Sequence, residues 1–136
     1  MPIKSTTGSP NELTEHVATD IVTDEEMFAC QTAFFESNPT RLELWDMSVA
    51  DLSKITVEGL QRFVSRAARL GQARQGGRTA VITRTNLQYG LGRMAEILGE
   101  FESLPFALRI FRQRENAVKW LHAESVSQQG DADGDL

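Results

Sequence analysis

Cysteine occurs once in these 136 residues, at position 30. A single thiol excludes an internal disulfide and any metal knuckle built on a cysteine pair. Spaced with Met27, Ala33 and Phe34 as on one side of a helix, Cys30 reads as a small apolar side chain rather than a nucleophile. Histidine is nearly as scarce, and His16 and His122 stand at opposite ends of the chain with no spaced partner for a metal. No serine or cysteine has the setting of a nucleophile elbow, and Gly90-Leu91-Gly92 lacks the strand-to-helix glycine triplet of a dinucleotide site. The expectation is a non-catalytic protein with no metal and no cofactor. Long apolar runs are absent too, and the opening MPIKSTTGSPNE has no hydrophobic signal region. One cytoplasmic domain is expected, since the length and apolar content suit a single core.

The chain also lacks an overall positive charge. Its net charge is -5, which argues against general nucleic-acid binding. The sum hides a division: between Lys54 and Arg93 eight basic residues face Glu58 alone, giving 8 - 1 = +7, and the remainder carries 6 - 18 = -12. Such a middle permits one local anion-facing surface. Arg62, Arg66 and Arg69 fall at i, i+4 and i+7, a stripe on one side of a helix and a candidate contact for an anionic surface.

What is present alternates between strand and helix patterns. Residues 1–12 and 123–136 are polar and expected to be disordered. A weak alternation over Leu13 to Thr19 suggests a strand, and Thr23-Asp-Glu-Glu26 then makes a capping box opening a helix that Asn38-Pro39 stops. LELWDM, residues 42–47, reads as a strand covered on both faces, with Leu42 and Leu44 on one side and Trp45 and Met47 on the other. A helix from Thr56 keeps Val57, Leu60, Val64, Ala67 and Gly71 along one side. RTAVIT is a short β-branched run of the central parallel type. The next helix spaces Leu87, Leu91, Met94, Leu98 and Phe101 by four and three, and FALRIF and ENAVKWLH supply a last strand and a last helix. The order predicts an α/β fold, a mostly parallel sheet of four to five strands with helices on both faces. Ile97 and Phe101 exceed what one face of that helix needs, which predicts a homodimer.

In open sheets of this kind sites form beyond the carboxyl ends of the strands. Asp46 and Ser48 leave one strand, Thr83, Thr85 and Asn86 another, and Arg112 a third, with Tyr89 and Arg93 in the first turns of the helix that follows Asn86. These eight residues are the candidate rim for a partner or ligand.

LWDMSVADLSKITVEGL, GGRTAVITRTNLQYGLGRM and LRIFRQRENAVKWL together resemble the SpoIIAA-like family, a branch of the STAS fold, over about residues 13–122. The resemblance implies a regulatory module that binds a protein partner. It also marks Ser48, two positions after Asp46, as a candidate phosphosite, because sporulation members are phosphorylated at a serine so placed. The fold is also similar to CRAL-TRIO lipid-transfer domains. This second likeness implies the alternative, a carrier of an apolar small molecule with peripheral membrane contact.

Overall fold

The computed structural model describes residues 2–8 and 12–123. Five strands form one sheet in sequence order: β1 (Ile3–Thr7), β2 (Leu13–Ile21), β3 (Leu42–Asp51), β4 (Arg78–Ile82) and β5 (Ala107–Phe111). Four α-helices, α1 (Asp24–Glu36), α2 (Val57–Leu70), α3 (Asn86–Glu102) and α4 (Arg114–His122), follow β2, β3, β4 and β5 in turn. β2 to β5 are parallel and β1 is antiparallel to β2. The mostly parallel α/β sheet of four to five strands expected from the sequence is thus present, its fifth strand being β1 at the edge.

That strand corrects the expectation of disorder over residues 1–12. Ile3 pairs with Ala18 and Ser5 with His16, and the Gly8 N–H donates to Leu13 O at 2.9 Å to close the hairpin. Apart from Ile3 the strand buries little, so its order comes from ladder bonds to β2 rather than from hydrophobic content. At the other end, residues 124–136 of the predicted disordered tail lie outside the described residues.

Helices cover both faces, divided three to one. Met27 and Cys30 of α1, Phe63 of α2 and Leu91 of α3 pack on the face of Ala18, Trp45 and Met47. On the other face α4 is the one helix, and its Ala117 and Leu121, with Trp120 beside them, pack on Leu42, Leu44, Ala80 and Ile82. The reason is topological: successive right-handed crossovers that all advance the same way along a sheet put every helix on one side. Only α4, after the last strand, is free to turn under.

Local rules set most boundaries. α1 opens on the predicted capping box, with Thr23 N–H donating to Glu26 Oε1 at 2.8 Å and Glu26 N–H to Thr23 Oγ1 at 3.3 Å. Asn38 in the left-handed region, followed by Pro39, ends the run. The apolar stripe assigned to α3 is partly wrong, since Leu87 and Phe101 are exposed while Gln88, Gly92 and Gly99 face inward. Gly92 lets the helix approach β5 closely, since a Cβ there would stand 3.1 Å from the Ile110 side chain, which would have to give way. Gly92, Gly99 and Gln88, together with Leu91, seat this helix. No helix among the described residues is long and apolar enough to cross a membrane.

Candidate functional site

β3 does not stop at Met47. It continues to Asp51, past an irregularity where Val17 pairs with Asp46 and Thr19 with Val49. Ala18 therefore faces both Met47 and Ser48, so β3 carries a one-residue bulge. Asp46 closes it: Oδ1 accepts from the Ser48 N–H at 3.0 Å and from the Ser48 hydroxyl at 2.6 Å, while Arg114 approaches Oδ2 at 3.6 Å. Ser48 is half-buried and inside the sheet, not in an open strand-end turn. A phosphoryl group on it would meet the Asp46 carboxylate.

The remaining rim candidates do not converge on one open site. Thr83 is buried and donates to Phe111 O at 3.3 Å. Thr85 is the N-cap of α3, accepting from the Gln88 N–H at 3.1 Å, and Asn86 is exposed at the first helical position. The Arg112 guanidinium lies 4.3 Å over the Tyr89 ring and donates to Arg84 O. Arg93 turns along α3 to pair with Glu96. Gln88, absent from the predicted set, is what joins two of these regions: Nε2 donates to Ser48 O at 3.3 Å and Ala50 O at 2.9 Å, tying the end of β3 to the start of α3.

The arginine stripe is also altered. Arg62 and Arg66 lean over the Phe28 ring of α1, at 5.0 and 5.4 Å, and Arg66 donates to Thr32 Oγ1. Instead of three side chains projecting together into solvent, two of them bind α2 to α1.

Two features that the sequence reading missed lie on the three-helix face. The first is a buried ionic cluster. Glu43, inside the strand read as apolar on both faces, accepts from His16 Nε2 at 2.8 Å, from Arg74 Nη1 at 3.2 Å and from Thr79 Oγ1 at 2.9 Å. Arg74 spends its remaining donors on Thr79 Oγ1 and on the carbonyls of Thr40, Arg41 and Arg78, and its guanidinium lies 4.3 Å over the Phe106 ring. On the outer side, His16 Nδ1 meets Ser5 Oγ at 2.7 Å and Cys30 Sγ at 3.4 Å. Burial, the largest single influence, pushes His16 down, but the bonds to Cys30 and Glu43 and the Glu43 charge outweigh it and hold the imidazole at about 9. Burial likewise pushes Glu43 up, yet the His16 bond and the Arg74 charge hold it below the ordinary carboxylate value. Every polar atom of the trio is committed, which leaves no group free to act on a substrate. The sequence signal was Glu43 itself, a carboxylate two residues before Trp45 in a covered strand, which demands cations. Among the described residues no group of three or more His, Cys, Asp or Glu side chains could hold a metal ion.

The second feature is a cavity of about 100 Å³ between this sheet face and α1, α2 and α3. Its wall is almost wholly apolar, with Met27, Trp45, Phe63 and Leu91 among its parts, and Glu43 and Thr79 are among the few polar residues that line it.

No protein-family model and no curated protein matches the chain. Among solved structures it is similar to an uncharacterized protein of the DUF3478 family with a SpoIIAA-like fold from Shewanella loihica. The two share 17% identity at a TM-score of 0.56, over 88% of this chain and 91% of that one. The sequential five-strand sheet with three helices on one face and one on the other is a SpoIIAA-like fold.

Proposed function

We infer that this protein is a non-catalytic binding module whose working part is the apolar cavity, which takes up a compact apolar small molecule. The cavity itself carries the reading. A docking domain can be solid, whereas this one leaves about 100 Å³ open behind Trp45 and Phe63, space on the order of a single aromatic ring and too little for a lipid chain. The volume is below the few hundred Å³ that a carrier of a larger apolar molecule needs, so of the two readings drawn from the resemblance the carrier is proposed here for a small ligand alone. Native mass spectrometry of protein purified from its host should show a retained small molecule, and toluene should shift the signals of the cavity wall. No retained mass together with indifference to toluene would remove the reading.

A regulatory docking role is the second reading, favoured by one observation. Ile21 and Val49 are 51% and 58% exposed and flank a shallow cleft with Asp20 and Asp51 at the end of β2 and β3. A protein partner of apolar and basic character suits that rim. Self-association belongs to the same proposal, supported by Ile97 and Phe101, which are 59% and 89% exposed on α3. Sedimentation at high micromolar concentration should show a dimer that Phe101→Ser disperses, and a wild-type monomer would refute it.

A further inference from the structure

Cys30, placed by its spacing on the apolar side of α1, is half-buried and has polar company there. Its Sγ stands 3.4 Å from His16 Nδ1 on β2 and 3.7 Å from Ser5 Oγ on β1, and Ser5 is exposed. Ser5 Oγ lies 2.7 Å from the same Nδ1, while Nε2, across the ring, is bound to Glu43 Oε2 at 2.8 Å. A thiol and a hydroxyl at the surface are thus connected through one imidazole to the buried carboxylate. The polar atoms of the ionic cluster are all committed, and what His16 serves with Nδ1 is this outer pair.

Ser5, His16 and Glu43 have the connectivity of a hydrolase triad, but the ring is in the wrong charge state for one. Burial pushes His16 down, yet its bonds to Cys30 and Glu43 hold it at about 9, so the ring carries both protons at neutral pH. An imidazolium cannot take the serine proton. With Nε2–H given to Glu43, Nδ1–H is given to Ser5 Oγ, and the Ser5 O–H is left to turn toward the Cys30 sulfur. The sulfur therefore faces a hydroxyl donor backed by a cation. Such surroundings favour attack on an electrophile whose leaving group needs a proton.

We propose that Cys30 is a site of oxidation by hydrogen peroxide, which converts it to the sulfenic acid while Ser5 and His16 relay the proton that the departing oxygen needs. The thiol first loses its proton to solvent, and the sulfur then attacks one peroxide oxygen. The S–O bond forms as the O–O bond breaks, so sulfur is oxidised by two electrons and the peroxide is reduced. The departing hydroxide takes the Ser5 hydroxyl proton and leaves as water. Ser5 takes the Nδ1 proton of His16, which recovers one from solvent through Ser5. Cys30 is the one cysteine in these 136 residues, so the sulfenic acid closes no disulfide within them, and its reduction falls to an external thiol. This is a stoichiometric modification rather than turnover, and it does not depend on the cavity reading.

Hydrogen peroxide and iodoacetamide make the test, because the iodide that leaves iodoacetamide needs no proton. Rates at pH 7 are followed by mass spectrometry in the wild type, Ser5→Ala and Ser5→Thr, with dimedone trapping the sulfenic acid. The folded wild type should react with peroxide about tenfold or more faster than the same chain unfolded in guanidinium chloride. Ser5→Ala, a change at an exposed edge position, should lose about tenfold in the peroxide rate while its iodoacetamide rate stays within about threefold. Ser5→Thr keeps the hydroxyl in a strand that already carries Thr6 and Thr7, and should keep the peroxide rate. A folded wild type no faster than the unfolded chain overturns the site. An undiminished peroxide rate in Ser5→Ala, or peroxide and iodoacetamide rates that fall together, overturns the relay.

Discussion

His16 Nε2 on β2 lies 2.8 Å from Glu43 Oε2 on the neighbouring strand, both side chains shut away from water, with Arg74 holding the other carboxylate oxygen. Glu43 thus pairs with two cations at once, one on each carboxylate oxygen, and its charge offsets part of the cost of burying both. Replacing one partner strands the others.

The first prediction concerns pH. His16 is raised from 6.5 to about 9, so its stabilising contribution is complete below pH 6.5 and lost as pH climbs through 9. The interval corresponds to about 3 kcal/mol. Glu43 is lowered from 4.5, so its contribution is present above pH 4.5 and lost on acidification below it. Urea unfolding across the pH range should give a maximum between those two ordinary values and a decline toward pH 9. His16→Gln should flatten the alkaline limb.

Arg74 makes five hydrogen bonds in this cluster. Arg74→Met should cost about 3–5 kcal/mol by leaving Glu43 underpaired in a dry site. Arg74→Lys restores the charge but not the planar fork, and should recover less than roughly half. Adding Glu43→Gln to Arg74→Met should regain part of the loss in the same denaturation assay, because the stranded charge is gone.

At the bulge, Ser48→Ala should cost no more than about 1 kcal/mol, the net worth of one hydrogen bond. Ser48→Asp sets a second carboxylate against Asp46 and should cost about 1–2 kcal/mol further. Asp46→Asn in that background should return some of it. If Ser48→Asp proves as stable as Ser48→Ala, the position tolerates negative charge and the phosphosite expectation gains ground.

Two glycines should respond with opposite signs. A Cβ on Gly77 would fall 2.3 Å from Arg41 O, a backbone atom already accepting from Arg78 N–H and Arg74 Nη2. Gly77→Ala should therefore lose about 2 kcal/mol or more. Gly90 is exposed within α3 with no atom within 4 Å of an added Cβ, and Gly90→Ala should gain about 0.5–1 kcal/mol. Thermal unfolding of the pair checks both.

Periodicity and capping made the fold legible. Thr23 with Glu26, Asn38-Pro39, and the Leu60, Val64, Ala67 stripe each act locally, and local rules survive folding. β1 was not legible because Lys4, Ser5, Thr6 and Thr7 bury nothing and are ordered by the strand beside them. The end of β3 was misread for a related reason: Asp46 and Ser48 look like turn residues, and in a bulge they act as turn residues inside a strand. The key bonds of the cluster and of Gln31 on α1 join residues far apart in sequence, His16 with Glu43 at 27 positions, Arg74 with Glu43 at 31 and Gln31 with Phe63 at 32. No window of periodicity reaches that far. Glu43 alone gave a local sign, a charge where the pattern left no water.

Strand order follows chain order, so during synthesis each new strand can join an edge already formed, and the three-helix face closes progressively as α1, α2 and α3 emerge. The opposite face has a different history. Leu42, Leu44, Ala80 and Ile82 wait uncovered until Ala117 and Leu121 of α4, the last element among the described residues, pack on them. A chain lacking everything from Arg114 onward would present that apolar strip to chaperones and to other chains, so of the two sheet faces this one depends on a single late-arriving helix for its cover.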